Sequence, residues 1–87
     1  MSIIISPRAE KQLRKLPKFD QIAVIEKIRS LSTAATQKEE KLSGYKDIFR
    51  VRVGDYRIVY RKASQSVYIV LIRHRRDVYR VLKNVLG

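Results

Sequence analysis

The stretch Arg50-Val51-Arg52-Val53-Gly54-Asp55-Tyr56-Arg57-Ile58-Val59-Tyr60 decides how the chain is read. Side chains of a strand alternate between the two faces of a sheet. From Ile48 to Val53, Phe49, Val51 and Val53 therefore point one way, and Arg50 and Arg52 the other. Gly54-Asp55 supplies a tight hairpin turn. Tyr56 to Lys62 is the return strand, with Arg57, Val59 and Arg61 on one face and Tyr56, Ile58 and Tyr60 on the other. The stretch is a β-hairpin that shows apolar and aromatic groups on one side and arginines on the other.

Working outward, Ser64-Gln65-Ser66 turns the chain into Val67 to Arg73, which is almost wholly apolar and reads as a central strand covered on both faces. Asp77 to Leu86 brings Val78, Leu82, Val85 and Leu86 to helical spacing and reads as a short C-terminal helix. Toward the N-terminus, Ser2-Ile3-Ile4-Ile5 is a β-branched first strand. Ser6 and Pro7 follow as N-cap and first helical residue, and Ala9, Leu13 and Leu16 recur at helical spacing. Pro17 ends that helix. A second helix begins near Lys18 to Asp20, with Ile22, Ile25, Ile28 and Leu31 expected on one face and Val24 beside Ile28 and Leu31. Ser32 to Lys41 is polar and aperiodic, a helix end followed by a mobile loop, and Leu42-Ser43-Gly44-Tyr45 turns into the sheet. The order β-α-α-β-β-β-α places the chain in the α+β class. An N-terminal helical hairpin should cover one face of a mostly antiparallel sheet, leaving the other face to present the arginines.

The chain has 87 residues, enough for one domain over 1–87 with a small core. It has 20 Lys and Arg against 8 Asp and Glu, a formal charge of +12. Such an excess attracts polyanions: nucleic acid, an anionic membrane surface or an acidic protein. Some small proteins are simply basic. Here 45% hydrophobic content speaks against a disordered basic tail, and no segment reads as a basic amphipathic membrane-surface helix, so nucleic acid ranks first. Cysteine is absent, which excludes disulfides, thiolate metal sites and a cysteine nucleophile. The N-terminal isoleucine run is too short for a signal peptide or a membrane span, so a soluble, cytoplasmic protein without a membrane partner is expected.

A single arginine on a strand face is ordinarily a solvated polar residue. Arg50, Arg52, Arg57, Arg61 and Arg73 together, on strands with few acids, are less readily explained that way, and arginine suits bidentate contacts to phosphate. His74 is the only histidine and lies among Arg73, Arg75 and Arg76. A lone histidine is more often structural, but a neutral imidazole beside phosphate-binding cations can accept or donate a proton. Tyr79 is either a core aromatic of the last helix or a stacking platform for a nucleobase. Tyr45, Tyr56, Tyr60 and Tyr68 read as core or sheet-packing residues. Asp47, Asp55 and Asp77 do not make a metal-binding set, and there is no glycine-rich phosphate loop, zinc spacing or Ser-His-Asp arrangement. No metal or other cofactor is expected.

Leu42-Ser43-Gly44, Phe49 to Tyr60 and His74-Arg75-Arg76-Asp77-Val78-Tyr79, in that order, resemble the RelE branch of the RelE/ParE toxin superfamily. The Ser6-Pro7 opening and the Lys15-Leu16-Pro17 close of the first helix match as well, so the resemblance spans essentially the whole chain. It implies a microbial RNase-like fold and the toxin half of a type II toxin–antitoxin pair. It further implies a ribosome-dependent endoribonuclease that cleaves mRNA in the A site without a metal, the 2′-hydroxyl attacking the adjacent phosphate. Carried over position by position, Arg50 and Arg52 occupy a strand pair that is lysine in the founding member. Arg57 matches the arginine assigned to transition-state stabilisation, Arg75 the arginine proposed as general acid, and Tyr79 the tyrosine that stacks on or orients the substrate nucleotide. Arg61, Arg73 and Arg76 join these as RNA-binding candidates. Lysine in a basic cluster can lose its proton and arginine cannot, so the base role falls to His74, or catalysis rests on positioning by the ribosome.

The resemblance also implies partners: the ribosome with its mRNA, and a RelB-like antitoxin with an acidic segment. That segment would lie extended or helical across helices and sheet, one route being displacement of the Asp77 to Leu86 helix. Two other functions fit the same scaffold: a ParE-like inhibitor of DNA gyrase, favoured if Tyr79 is buried, and an inactive relative that binds RNA or ribosomes without cutting.

Overall fold

The computed structural model describes residues 2–33 and 38–87. The order is β1 (Ser2–Ile5), α1 (Pro7–Arg14), α2 (Lys18–Ser30), β2 (Glu40–Lys41), β3 (Ile48–Val53), β4 (Tyr56–Lys62), β5 (Ser66–His74) and α3 (Val78–Leu86). The strands form one sheet in the order β1-β5-β4-β3-β2. Only the β1–β5 pair is parallel. The α+β class, the helical hairpin and the mostly antiparallel sheet stand as expected. The short β2 is additional: the segment read as loop pairs Glu40 with Arg50 and Lys41 with Phe49 at the sheet edge. Residues 34–37 of that segment lie outside the described residues.

Ser6 shows how local chemistry locks the elements together. Its Oγ accepts from the Ala9 N–H at 3.0 Å, capping α1 behind Pro7. The same hydroxyl donates to the Val70 carbonyl at 3.0 Å. Val70 is the extra residue of a bulge: Val59 pairs with Leu71 and Tyr60 with Ile69. The Ser6 hydroxyl thus serves a carbonyl that the bulge removes from the regular ladder. On α1, Gln12 Oε1 accepts the Ile72 N–H at 2.9 Å, fixing that helix over β5.

One sheet face and the helical hairpin enclose Ala9, Leu13, Val24, Ile28 and Leu31 with Val51, Ile58, Tyr60, Val67, Ile69 and Ile72. The α2 face differs from expectation at Ile22, which is 49% exposed. An i, i+3 repeat drifts by roughly 60° per step at 3.6 residues per turn, so Ile22 lies about opposite Leu31 while Val24, Ile28 and Leu31 stay aligned. Tyr60 is fully buried, and its hydroxyl donates to Glu39, which also pairs with Lys62. Burial first, then the Glu39 hydrogen bond and charge, push the Tyr60 phenol far above its ordinary value. Tyr68, expected to pack, is exposed, because it sits beyond the bulge on the part of β5 that α3 does not fully cover.

The second sheet face is shared rather than wholly given to arginine. Val78, Val81 and Leu82 of α3 pack on Ile48, Val59, Val70 and Leu71. An amphipathic helix must bury its apolar stripe, and this is the face left after the hairpin has taken the other. It covers the middle of the face and leaves the β3–β4 turn end open. Among the described residues, no helix is long and apolar enough to cross a membrane.

Candidate nucleic-acid interface

The open end is built by the hairpin. Arg52 pairs with Arg57 across the β3–β4 ladder, and Arg50 with Val59, so all three arginines share one face. Gly54, at φ +58°, makes the two-residue turn possible. Arg57 folds back onto that turn, its Nη1 donating to the carbonyls of Gly54 at 3.1 Å and Tyr56 at 2.9 Å. Burial and the positive charges of Arg52, Arg50 and Arg75 lower the Arg57 pKa, with Asp55 opposing. Arg57 stays charged, as arginine does in proteins. Like charges opposite each other destabilise a ladder, so this concentration is carried against the stability of the hairpin.

Arg75 joins from the turn after β5. Its backbone N–H donates to the Asp55 carbonyl at 2.7 Å, and its Nε lies 3.7 Å from Asp55 Oδ1. Arg50 is held on both sides. Its Nη2 donates to Glu40 Oε2 at 3.1 Å, and its guanidinium carbon stands 5.2 Å from the centre of the Tyr79 ring. Tyr79 is 43% exposed, at the border between α3 and the arginine face. Through the Arg50 hydrogen bond first, then the charges of Arg50, Arg52 and Arg57, the Glu40 carboxyl is held below its ordinary range.

The structure thus brings together Arg50, Arg52, Arg57, Arg75 and Tyr79. Arg73 pairs with Arg57 in the ladder but is engaged by Asp77, with Nη2 to Oδ2 at 2.6 Å and Nε to Oδ1 at 3.3 Å. That hydrogen bond and charge hold the Asp77 carboxyl low. Arg76 is exposed in the turn beyond β5. Arg61 lies at the other end of β4, opposite Ile48 and Tyr68. His74 pairs with Tyr56, one position from the Arg57–Arg73 pair, and so projects to the opposite, hairpin-side face. There its ring meets Tyr56 edge-on at 5.6 Å, and its Nδ1 accepts the Arg76 N–H at 3.1 Å. Sequence reasoning missed Glu40; the signal was the Glu39-Glu40 pair just before the Leu42-Ser43-Gly44 turn in a chain poor in acids. Among the described residues, no three His, Asp or Glu side chains converge as a metal site requires.

A family model for the ParE toxin of type II toxin–antitoxin systems matches residues 3–79. The chain belongs to this toxin family, within the RelE/ParE superfamily. Comparison with curated proteins finds no match. Among solved structures, the toxin–antitoxin complex RelBE2 from Mycobacterium tuberculosis contains a chain 28% identical, covering 85% of this chain and 96% of that one, with a TM-score of 0.74. The archaeal RelE–RelB complex from Pyrococcus horikoshii gives 26% identity, 85% and 93% coverage and a TM-score of 0.70. A mutant of the E. coli toxin RelE in the free state is 19% identical, covers 97% of this chain and 92% of that one, and shares the fold with a TM-score of 0.79. This type II toxin therefore carries its arginines and exposed tyrosine on a RelE-like fold.

Proposed function

We propose that this toxin is a RelE-type endoribonuclease that cuts mRNA in the ribosomal A site. The observation that carries the reading is the joint placement of Arg50, Arg52, Arg57 and an accessible Tyr79 on one open sheet face. Attack of a 2′-hydroxyl on the adjacent phosphate concentrates negative charge on the phosphorane, which preorganised cations stabilise. Arg57, fixed by two backbone carbonyls and bordered by Arg52, Arg50 and Arg75, suits that role. Arg75, bonded to the hairpin turn at the same end, would stabilise charge on the leaving oxygen, and the Tyr79 ring, already facing a guanidinium, offers a stacking surface for a nucleobase. Arg61, Arg73 and Arg76 supply peripheral attraction to the RNA backbone. The likeness to RelB–RelE complexes supports a RelB-like antitoxin as partner, and the charge of +12 favours an acidic binding segment.

The test is a defined mRNA on programmed ribosomes, with 5′ ends mapped by primer extension. Cuts inside the A-site codon that require ribosomes are expected. A second reading, inhibition of DNA gyrase, is favoured by the match to the ParE family model. It predicts no mRNA cuts and loss of supercoiling by gyrase in the presence of the folded protein.

A further inference from the structure

Among the described residues, the cluster lacks an obvious proton acceptor. Arg50, Arg52, Arg57 and Arg75 remain protonated. His74 projects to the other sheet face. Asp77 is held by Arg73 at 2.6 Å and lies 3.7 Å from Arg80. Among the described residues, two carboxylates remain at the open end. Asp55 sits at the tip of the hairpin, exposed and facing Arg75. Glu40 stands on β2, register partner of Arg50, on the arginine face itself and beside the guanidinium that meets Tyr79.

Arg50 is incompletely satisfied. One terminal nitrogen donates to Glu40, while its Nε is buried and meets no acceptor among the described residues. A buried donor without a partner is costly, and the terminal nitrogens of a guanidinium suit the paired oxygens of a phosphate. The Glu40 carboxylate occupies a position that a substrate phosphate would contest.

Resting on the ribonuclease reading, we propose that Glu40 is the proton acceptor for the attacking 2′-hydroxyl, freed when a substrate phosphate replaces it on Arg50. While paired, the carboxylate is ionised but weakly basic, because the guanidinium stabilises its charge. Transfer of the Arg50 hydrogen bond to phosphate removes that stabilisation and sets a second anion nearby, and both changes raise the basicity of Glu40. In the step, Glu40 takes the 2′-hydroxyl proton, the 2′-oxygen bonds to phosphorus, and the bond from phosphorus to the 5′-oxygen breaks. The leaving oxygen takes a proton from solvent and Glu40 returns its own to solvent. The products are a 2′,3′-cyclic phosphate and a 5′-hydroxyl, with no other reactant consumed. The binding of RNA thereby arms the base, and the resting toxin keeps it masked.

The experiment measures single-turnover cleavage of mRNA on programmed ribosomes by wild type, Glu40→Gln, Glu40→Asp and Glu10→Gln. In parallel it measures affinity for the same complex carrying a 2′-deoxy residue at the scissile position. Glu40→Gln should lose cleavage by roughly a hundredfold or more while binding the deoxy complex as tightly as wild type or tighter, because Arg50 is released. Glu40→Asp, which keeps a carboxylate, should recover part of the rate, and Glu10→Gln, which removes an exposed carboxylate from α1, should cleave as wild type does. Cleavage by Glu40→Gln close to the wild-type rate overturns the proposal alone. So does a loss of binding that matches the loss of rate, which would reduce Glu40 to a support for Arg50. Absence of cleavage by wild type sinks the ribonuclease reading and the proposal with it.

Discussion

The two parts of the second sheet face are built on opposite terms. Under α3, Ile48, Val59, Val70 and Leu71 meet Val78, Val81 and Leu82 in an apolar contact. A few residues away, on the same strands, Arg52 faces Arg57 across the ladder and Arg50 lies alongside. The first part gains stability from apolar burial, while the second opposes it by bringing like charges together. The first part serves the fold, and the second is the surface proposed to meet RNA. The β3–β4 strands are packed between α3 and the helical hairpin, and that packing sets where their arginines emerge. Glu40 and Asp55 relieve part of the repulsion from the edges of the cluster.

Substitutions in the two parts should separate function from stability. Arg57→Ala should lower single-turnover cleavage by roughly a hundredfold to a thousandfold, the loss typical of removing one group that stabilises transition-state charge, while denaturant unfolding shows stability unchanged or raised. Leu82→Ala should do the reverse: Leu82 is almost fully buried, so about 3 kcal/mol of stability should be lost, with cleavage per folded molecule retained. Equal effects of these two variants on both readouts would dissolve the distinction between the parts.

Asp77 marks the border, and its effect should be smaller and dependent on pH. Its folded pKa is depressed by Arg73, so its stabilising contribution is full above the ordinary aspartate value and fades as pH falls through the depressed one. Asp77→Asn should cost about 1 kcal/mol near neutrality, and thermal unfolding of variant and wild type should converge as pH falls through the depressed Asp77 value. A cost that persists in acid would point to packing instead. Smallest of all, Arg52→Gln should raise stability by about 0.5 kcal/mol through relief of the Arg57 repulsion, visible as a higher melting temperature together with weaker RNA binding.

Much of this division was legible in the sequence. Period-two alternation placed Arg50 and Arg52 opposite Phe49, Val51 and Val53, and the Gly54-Asp55 turn set the register that brings Arg57 to them. Ser6-Pro7 announced a helix start whose cap is seen. What was hidden has physical causes. Val67 to Ile72 contains only one polar-capable side chain, Tyr68, so alternation could not reveal the bulge at Val70 or the face on which His74 emerges. β2 is two residues long and exists because the β3 edge offers it a ladder, not because of any periodicity of its own. That is why Glu40 was not seen as part of the site. The stripe on α3 was visible, but its docking place follows only once the helical hairpin has filled the other face.

The most direct test of the central claim, that the open arginine end is the RNA-cleaving surface, pairs Arg57→Ala with Arg14→Ala. The second variant removes the same charge from an exposed site on α1. Both would be assayed by primer extension on programmed ribosomes. The expected result is A-site cuts by wild type and Arg14→Ala and almost none by Arg57→Ala. Equal loss in both variants would mean that net charge, rather than this surface, drives the activity, and full cleavage by Arg57→Ala would contradict the account outright.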